Sequence, residues 1–335
     1  MNFLYFVGID VSKLTLDFTV LHNDAMLFHL QTPNSLKGIK GFIQRLNQES
    51  DCQSDQVLYC LEFTGIYNHH LLNYCETHQL QVWVESAREI KQSLGMLRGK
   101  NDQVDSYRIA QYAFRNRDKI RLWKPSRKKI RELKSLLSLR ERLVNTRQQL
   151  ATPLKEAQGF VDNEIVQFQK ATLKPVLATM TKRLKVLEQK IEDFIRSDQT
   201  LNELYEQVTS VHGIGPNVAA HFIATTNEFK DFTEAKKFAC YSGVVPFDYR
   251  SGTSLKGRSR ISHLANKKMK KLLHLSAMAA IRGPGELQDY YHRKVELGKN
   301  KMLVLNAIRN KLIHRVFAVV RDNRKYEKTY AISLV

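Results

Sequence analysis

A chain of 335 residues exceeds what one hydrophobic core usually organises, so two or three domains are expected. Apolar residues make up 43% and charged residues 26%, a balance that suits a folded globular protein and excludes wholesale disorder. Lys and Arg number 53 against 33 Asp and Glu, and the resulting +20 points to a polyanionic partner, most commonly nucleic acid.

In chain order, residues 3–9, 14–21 and 25–31 read as three short strands. The second alternates Leu14, Leu16, Phe18 and Val20 with Thr15, Asp17 and Thr19, the pattern of a half-buried strand. Ser12-Lys13 and His22-Asn23-Asp24 supply the turns. A helix is expected over 35–47, a strand buried on both faces over 56–61, a helix over 67–78, a strand over 80–84 and a helix over 103–115. The order β-β-β-α-β-α-β-α describes a mixed sheet with helices on its faces.

Residues 126–196 carry no strand signal. Leu173, Leu177, Met180, Leu184, Leu187, Ile191 and Phe194 step by alternating fours and threes, a coiled-coil pattern. The preceding stretch, Ile130, Leu133, Leu137 and Val144, is weaker because Arg140 and Arg147 fall on the seam. Two long helices packed as a hairpin, or pairing with a second copy, satisfy both stretches. Residues 199–335 read as mainly helical and strongly basic. The domains expected are therefore 1–125 (α/β), 126–198 (helical connector) and 199–335.

Charge follows this division. Residues 1–100 carry net −2 and residues 101–335 net +22. An acidic N-terminal third suggests a neutral scaffold or a carboxylate site that recruits a cation. Cys52, Cys60, Cys75 and Cys240 form no CxxC pair and show no metal-ligand spacing with His, so reduced thiols are expected. No apolar run reaches the ~18 residues of a membrane span, and residues 1–6 lack a signal peptide's flanking features. A soluble, cytoplasmic protein without a membrane partner is expected.

Three motifs can carry chemistry. The first is acidic: Asp10 near the end of the first strand, Glu62 after the buried strand, and Asp102 with Asp105 on one face of a helix start. Carboxylates from strand ends and a helix can converge on hard divalent cations such as Mg2+. Two such ions ~4 Å apart serve phosphodiester chemistry. The structural alternative makes Asp10 a turn residue and Asp102–Asp105 an N-cap with an acidic first turn. Glu62 is harder to treat so, because a carboxylate closing an apolar strand is costly to bury alone.

The second motif runs from Val211 to Ala219, with Gly213 and Gly215 in the helix-hairpin-helix form hGhGxxxA. It presents backbone N–H groups to phosphate, or is simply a helix–helix turn. The third is the segment 243–260. From Arg250 onward, glycines, hydroxyl residues and the cations Lys256, Arg258 and Arg260 alternate, as in a flexible loop wrapped on phosphate. It binds phosphate without chemistry, or Ser251 or Tyr249 serves as a nucleophile beside those cations. Lys267, Lys268, Lys270 and Lys271 follow in the same basic stretch.

Together, Gly-Ile-Asp-Val-Ser-Lys around Asp10, Glu-Phe-Thr-Gly from Glu62 and Asn-Asp-x-x-Asp through Asp105 resemble the DEDD, RuvC-like (RNase H-fold) domain of the IS110 family of insertion-sequence transposases, relatives of the Piv invertase. The C-terminal half resembles that family's serine-bearing domain, and the likeness spans nearly the whole chain. It implies that Asp10, Glu62, Asp102 and Asp105 bind one or two Mg2+ ions. It also implies that Ser251, in Tyr-Arg-Ser-Gly, attacks DNA to form a phosphoserine link; Ser254 is the fallback nucleophile. It further implies donor and target DNA, a non-coding bridge RNA that pairs with both, a homo-oligomer (dimer or tetramer), nucleoid association and no need for ATP. A RuvC-like structure-specific nuclease using the acids alone, and a non-catalytic nucleic-acid binder, are the alternatives.

Overall fold

Three antiparallel strands followed by two parallel crossovers form the first layer of the structure, a computed structural model describing residues 3–50, 53–93, 101–251, 255–262 and 264–327. For 247–251 and 255–260 the backbone alone is described. The chain divides into two compact units, Met1–Pro125 and Ser126–Val335.

In the first unit, β1 (Tyr5–Val11), β2 (Thr15–His22) and β3 (Ala25–Pro33) pair antiparallel. α1 (Leu36–Glu49) follows, capped by the Ser35 hydroxyl, which accepts from Gly38 N. β4 (Val57–Glu62) then lies parallel to β1. α2 (His69–Thr77) leads to β5 (Gln81–Glu85), parallel to β4, and α3 (Ala87–Ser93) and α4 (Asp102–Arg115) complete the unit. The sheet order is β3-β2-β1-β4-β5. Val7, Ile9, Leu16, Phe18, Val20 and Val57 pack under Ile39, Phe42 and Leu46 of α1 and Leu71 of α2. On the opposite face, Phe6, Leu58, Cys60 and Trp83 pack under Ile109, Ala110 and Ala113 of α4.

Burial on both faces corrects the expected half-buried β2. Asp17 and Thr19 are as buried as their apolar neighbours because each has a polar partner. The Thr19 hydroxyl shares a 2.8 Å hydrogen bond with Ser106 of α4, and Asp17 accepts from Gln31. Gly8 lets α4 settle on the backbone of β1, since an added Cβ would stand 2.1 Å from Ser106 O and 2.2 Å from Ala110 N. Gly8→Ala is therefore expected to cost the first unit about 1–3 kcal/mol, the ordinary penalty of overpacking. Urea unfolding checks this, and an unchanged midpoint would mean that α4 is not seated on β1.

The second unit begins with α5 (Lys128–Glu156) and α6 (Asn163–Arg196), packed as an antiparallel hairpin. The seam arginines that weaken the heptads bridge the two helices. Arg140 donates to Glu188 at 2.6 and 2.8 Å, and Arg147 donates to Thr181 at 3.1 Å. Toward the root, Ile130, Leu133, Leu137, Leu187, Ile191 and Ile195 share one hydrophobic core with the C-terminal helices. Those are α7 (Gln199–Ser210), α8 (Pro216–Thr225), α9 (Ala235–Tyr241), α10 (Lys267–Ala280), α11 (Glu286–Glu296) and α12 (Lys301–Arg321). Near the tip, Phe160 and Phe168 are 91% and 73% exposed.

The stretch from Arg250 onward, expected as a flexible loop, instead contributes to two antiparallel strands, β6 (Phe247–Ser251) and β7 (Leu255–Arg260). Elsewhere in the second unit, Asn227, Glu228 and Phe229 hold φ of 51°, 60° and 61° in succession, a strained left-handed run. Arg127 clamps it, pairing with the buried Glu228 carboxylate and with Asp198, the N-cap of α7. No helix among the described residues is long and apolar enough to cross a membrane.

Candidate active site

β1 runs two residues farther than expected, so Asp10 lies within the strand and pairs in register with Asp17 of β2. It shares a face with Gly8, on which α4 rests, and this brings the start of α4 toward Asp10. Asn101 caps α4, its side chain accepting from Val104 N at 2.7 Å. Asp102 is thus not the cap. It stands exposed in the first turn, while Asp105 is half-buried and paired with Arg108 at 3.0 Å. Glu62 closes β4, next to β1, and its backbone carbonyl accepts from the fully buried Asn68 side chain at 2.9 Å.

Electrostatics ties these acids together. Burial pushes the Asp10 carboxyl up to about 6, helped by the charges of Asp102, Asp105, Asp17 and Glu62 in that order. All four sequence-predicted acids therefore share one field. Asp17 is the member that sequence reasoning missed. It is 2% exposed, accepts with both carboxylate oxygens from Gln31 Nε2 at 3.1 Å and lies 3.2 Å from His29 Nε2. The turn spans Ser12 to Thr15, and this register sets residue 10 opposite residue 17; a turn centred on Ser12-Lys13, as the sequence suggested, would have set Thr15 there.

Oxygen donors whose mutual repulsion raises a carboxyl pKa are the donor set a hard divalent cation relieves, and in that chemical sense the residues fit one. Among the described residues, no three His, Cys, Asp or Glu side chains already stand in metal-binding geometry. Asp105 is engaged with Arg108 instead.

The basic motifs lie in the second unit. Residues 211–215 form the turn between α7 and α8, with Pro216 opening α8. Gly213, at φ 90°, is required by packing, since a Cβ there would meet Ala280 Cβ at 2.6 Å and Ser276 O at 2.9 Å. Gly215 has open space around it. Ser251 ends β6, and Arg250, Lys256, Arg258 and Arg260 lie on the two strands of the hairpin. Ser254 falls outside the described residues. Lys267 and Lys271 are exposed on α10, Lys270 is half-buried, and Lys268 pairs with Glu141 of α5.

A five-stranded mixed sheet in this order, with carboxylates gathered about its central strand, is consistent with an RNase H-like domain of the DEDD kind. The comparisons agree: residues 7–157 match the DEDD transposase model of the IS110 family, and residues 205–292 match the model described as "Transposase IS116/IS110/IS902 family". The pilin gene-inverting protein of Moraxella lacunata is 24% identical over 96% of this chain and 98% of its own length. The 43.6 kDa protein of insertion element IS110 from Streptomyces coelicolor is 28% identical over 46% of this chain and 38% of its own. A probable family 20 transposase of Pseudomonas aeruginosa is 28% identical over 33% and 31%. The chain carries transposase domains of the IS110 family, whose members are enzymes that cleave and rejoin DNA.

Proposed function

We propose that this protein is an RNA-guided recombinase that excises and inserts a mobile element through a covalent phosphoserine–DNA intermediate. The observation that carries the reading is the convergence of carboxylate charge on Asp10. Asp10, Glu62, Asp102 and Asp105 would hold one or two Mg2+ ions, with Asp17 behind them. When bound, the metal supplies charge stabilisation at the scissile phosphate. Ser251 Oγ attacks phosphorus, the new O–P bond replaces the P–O bond to the leaving strand, and the departing hydroxyl takes a proton. A hydroxyl of the second strand then attacks the phosphoserine and releases Ser251. Phosphoester bonds are conserved, so ATP is not needed. Sequence choice rests with a bridge RNA paired to donor and target DNA, and the protein reads backbone and shape. Assembly as a dimer or tetramer, and work at the nucleoid, belong to the same proposal.

The near full-length match to proteins named for gene inversion supports rejoining over simple hydrolysis. The test is a search for the adduct. The protein is incubated with labelled DNA, Mg2+ and RNA transcribed from beside its gene, run under denaturing conditions and mapped by mass spectrometry. Label on the Ser251 peptide is the expected result. Label on the Tyr249 or Ser254 position moves the nucleophile, and cleavage without any adduct puts a carboxylate-only nuclease in its place.

A further inference from the structure

α12 buries a guanidinium among apolar side chains. Leu305, Ile308, Leu312 and Ile313 face the core as the helical period requires, and Arg309 is buried with them at 5% exposure. Its Nη2 meets His274 Nδ1 at 2.7 Å and its Nη1 donates to Asn306 Oδ1 at 3.4 Å. Its Nε has no partner, and neither has the Oδ1 of the adjacent Asn310. Neither α10 nor α12, which supply these contacts, contains a single Asp or Glu. Burial lowers the pKa of Arg309, and burial with the nearby guanidinium lowers that of His274, so His274 stays the neutral acceptor.

A buried cation with no counter-charge is an expensive arrangement, and the expense is recovered when an anion arrives. The surroundings say where. Asn306 Nδ2 donates at 2.7 Å to the carbonyl of Val244, three residues ahead of β6, which ends in Ser251. Lys270, one turn before His274 on α10, has its Cδ 3.7 Å from the Cβ position of Gly243. The half-buried side chains of Lys270, His274, Asn306 and Asn310 are polar and none is acidic.

We propose that Arg309, with Lys270, His274 and Asn306, is an anion site at the root of the β6–β7 hairpin that takes a phosphodiester oxygen of a nucleic-acid backbone. This deepens the recombinase reading and rests on its nucleic-acid partner, not on its chemistry. A phosphate there completes the guanidinium's unused donor and, through Asn306 and Val244, bears on the segment that enters the hairpin.

The experiment uses the full chain carrying Arg309→Met or Arg309→Lys, without divalent metal so that cleavage does not contribute. Affinity for a 30-base-pair DNA duplex and for a structured RNA of similar length is read by anisotropy across a salt series, beside thermal melting. Arg309→Met is expected to melt at or above wild type and to lose about tenfold affinity, with a salt slope shallower by about one. Loss confined to DNA assigns the phosphate to DNA, and loss confined to RNA assigns it to RNA. Unchanged affinity and slope overturn the site, as does an altered sedimentation coefficient with unchanged binding, which would seat a partner copy's carboxylate on Arg309. Should Arg309→Met fold poorly, Arg309→Lys decides: it keeps the charge but not the fork, and wild-type binding by it overturns the proposal. Binding is read without metal, whereas the Ser251 adduct is sought separately with Mg2+, which separates failure of this site from failure of the recombinase reading.

Discussion

Replacing Asp10 by Asn is expected to abolish strand exchange, by at least about a thousandfold, while making the metal-free protein more stable at neutral pH. Both effects come from one cause. The carboxyl is pushed up to about 6 from 3.8 by burial and by Asp102, Asp105, Asp17 and Glu62, so ionising it works against the fold. For an acid with a raised folded pKa, the native state holds the proton more tightly than the unfolded chain. Stability therefore falls as pH rises from about 4 through about 6 and stays at the lower level above. The shift corresponds to at most about 3 kcal/mol, and about 1–2 kcal/mol once solvent screening at a half-buried position is allowed for. Calorimetry at pH 7 without metal should show the first unit of Asp10→Asn melting several degrees higher. Adding Mg2+ should stabilise the wild type and leave the variant unmoved. Near-normal exchange by Asp10→Asn would remove the residue from the chemistry, and an equal Mg2+ response would place the ion elsewhere.

The second unit responds to acid with the opposite sign. His221, on α8, is buried, and desolvation, then the charges of Lys268 and Arg140, hold its pKa down at about 3 against an ordinary 6.5. An imidazole with a depressed folded pKa contributes stability that is complete above about 6.5 and is lost as pH falls below it, because the unfolded chain takes up the proton first. Between pH 7 and pH 5 the loss is about 2 kcal/mol, from ~1.4 kcal/mol per pH unit below the unfolded value. For a unit of this size that is about 4–8 °C of melting temperature. His221→Gln should flatten the profile over this range. A wild-type melting temperature that does not change from pH 7 to 5 would mean that His221 is hydrated or protonated in the native state.

Much of the first unit was legible because its strands are short apolar runs separated by strong turns, and the order of eight elements needs little else. What escaped reading was polar residues that behave as core. Thr19 and Asp17 spell an outward face in the sequence, yet Ser106, Gln31 and His29 satisfy them, and nothing local announces partners found 87, 14 and 12 positions away. Asp10, Glu62, Asp102 and Asp105 each stood out in the sequence, since each sits at or near an element's end. Asp17 did not, because its role depends on cross-strand register. The hairpin of residues 247–260 was missed for a different reason. Its glycines, hydroxyls and cations lack the apolar alternation that marks a strand. Arg309 reads as one cation on a basic helix until the packing shows which side of that helix is inside.

The helical hairpin has a mechanical consequence. At 1.5 Å per residue, α5 and α6 are about 44 and 51 Å long, a lever anchored at its root in the core of the second unit. A turn of about 5° at the root moves the tip by about 4 Å by this geometry. Pro153 and Pro175 each delete a rung of helical hydrogen bonding, so bending concentrates near them and the root half stays stiff. Force applied at the exposed phenylalanines of the tip is transmitted, with its torque multiplied by the arm, to the packing around Ile191 and Ile195.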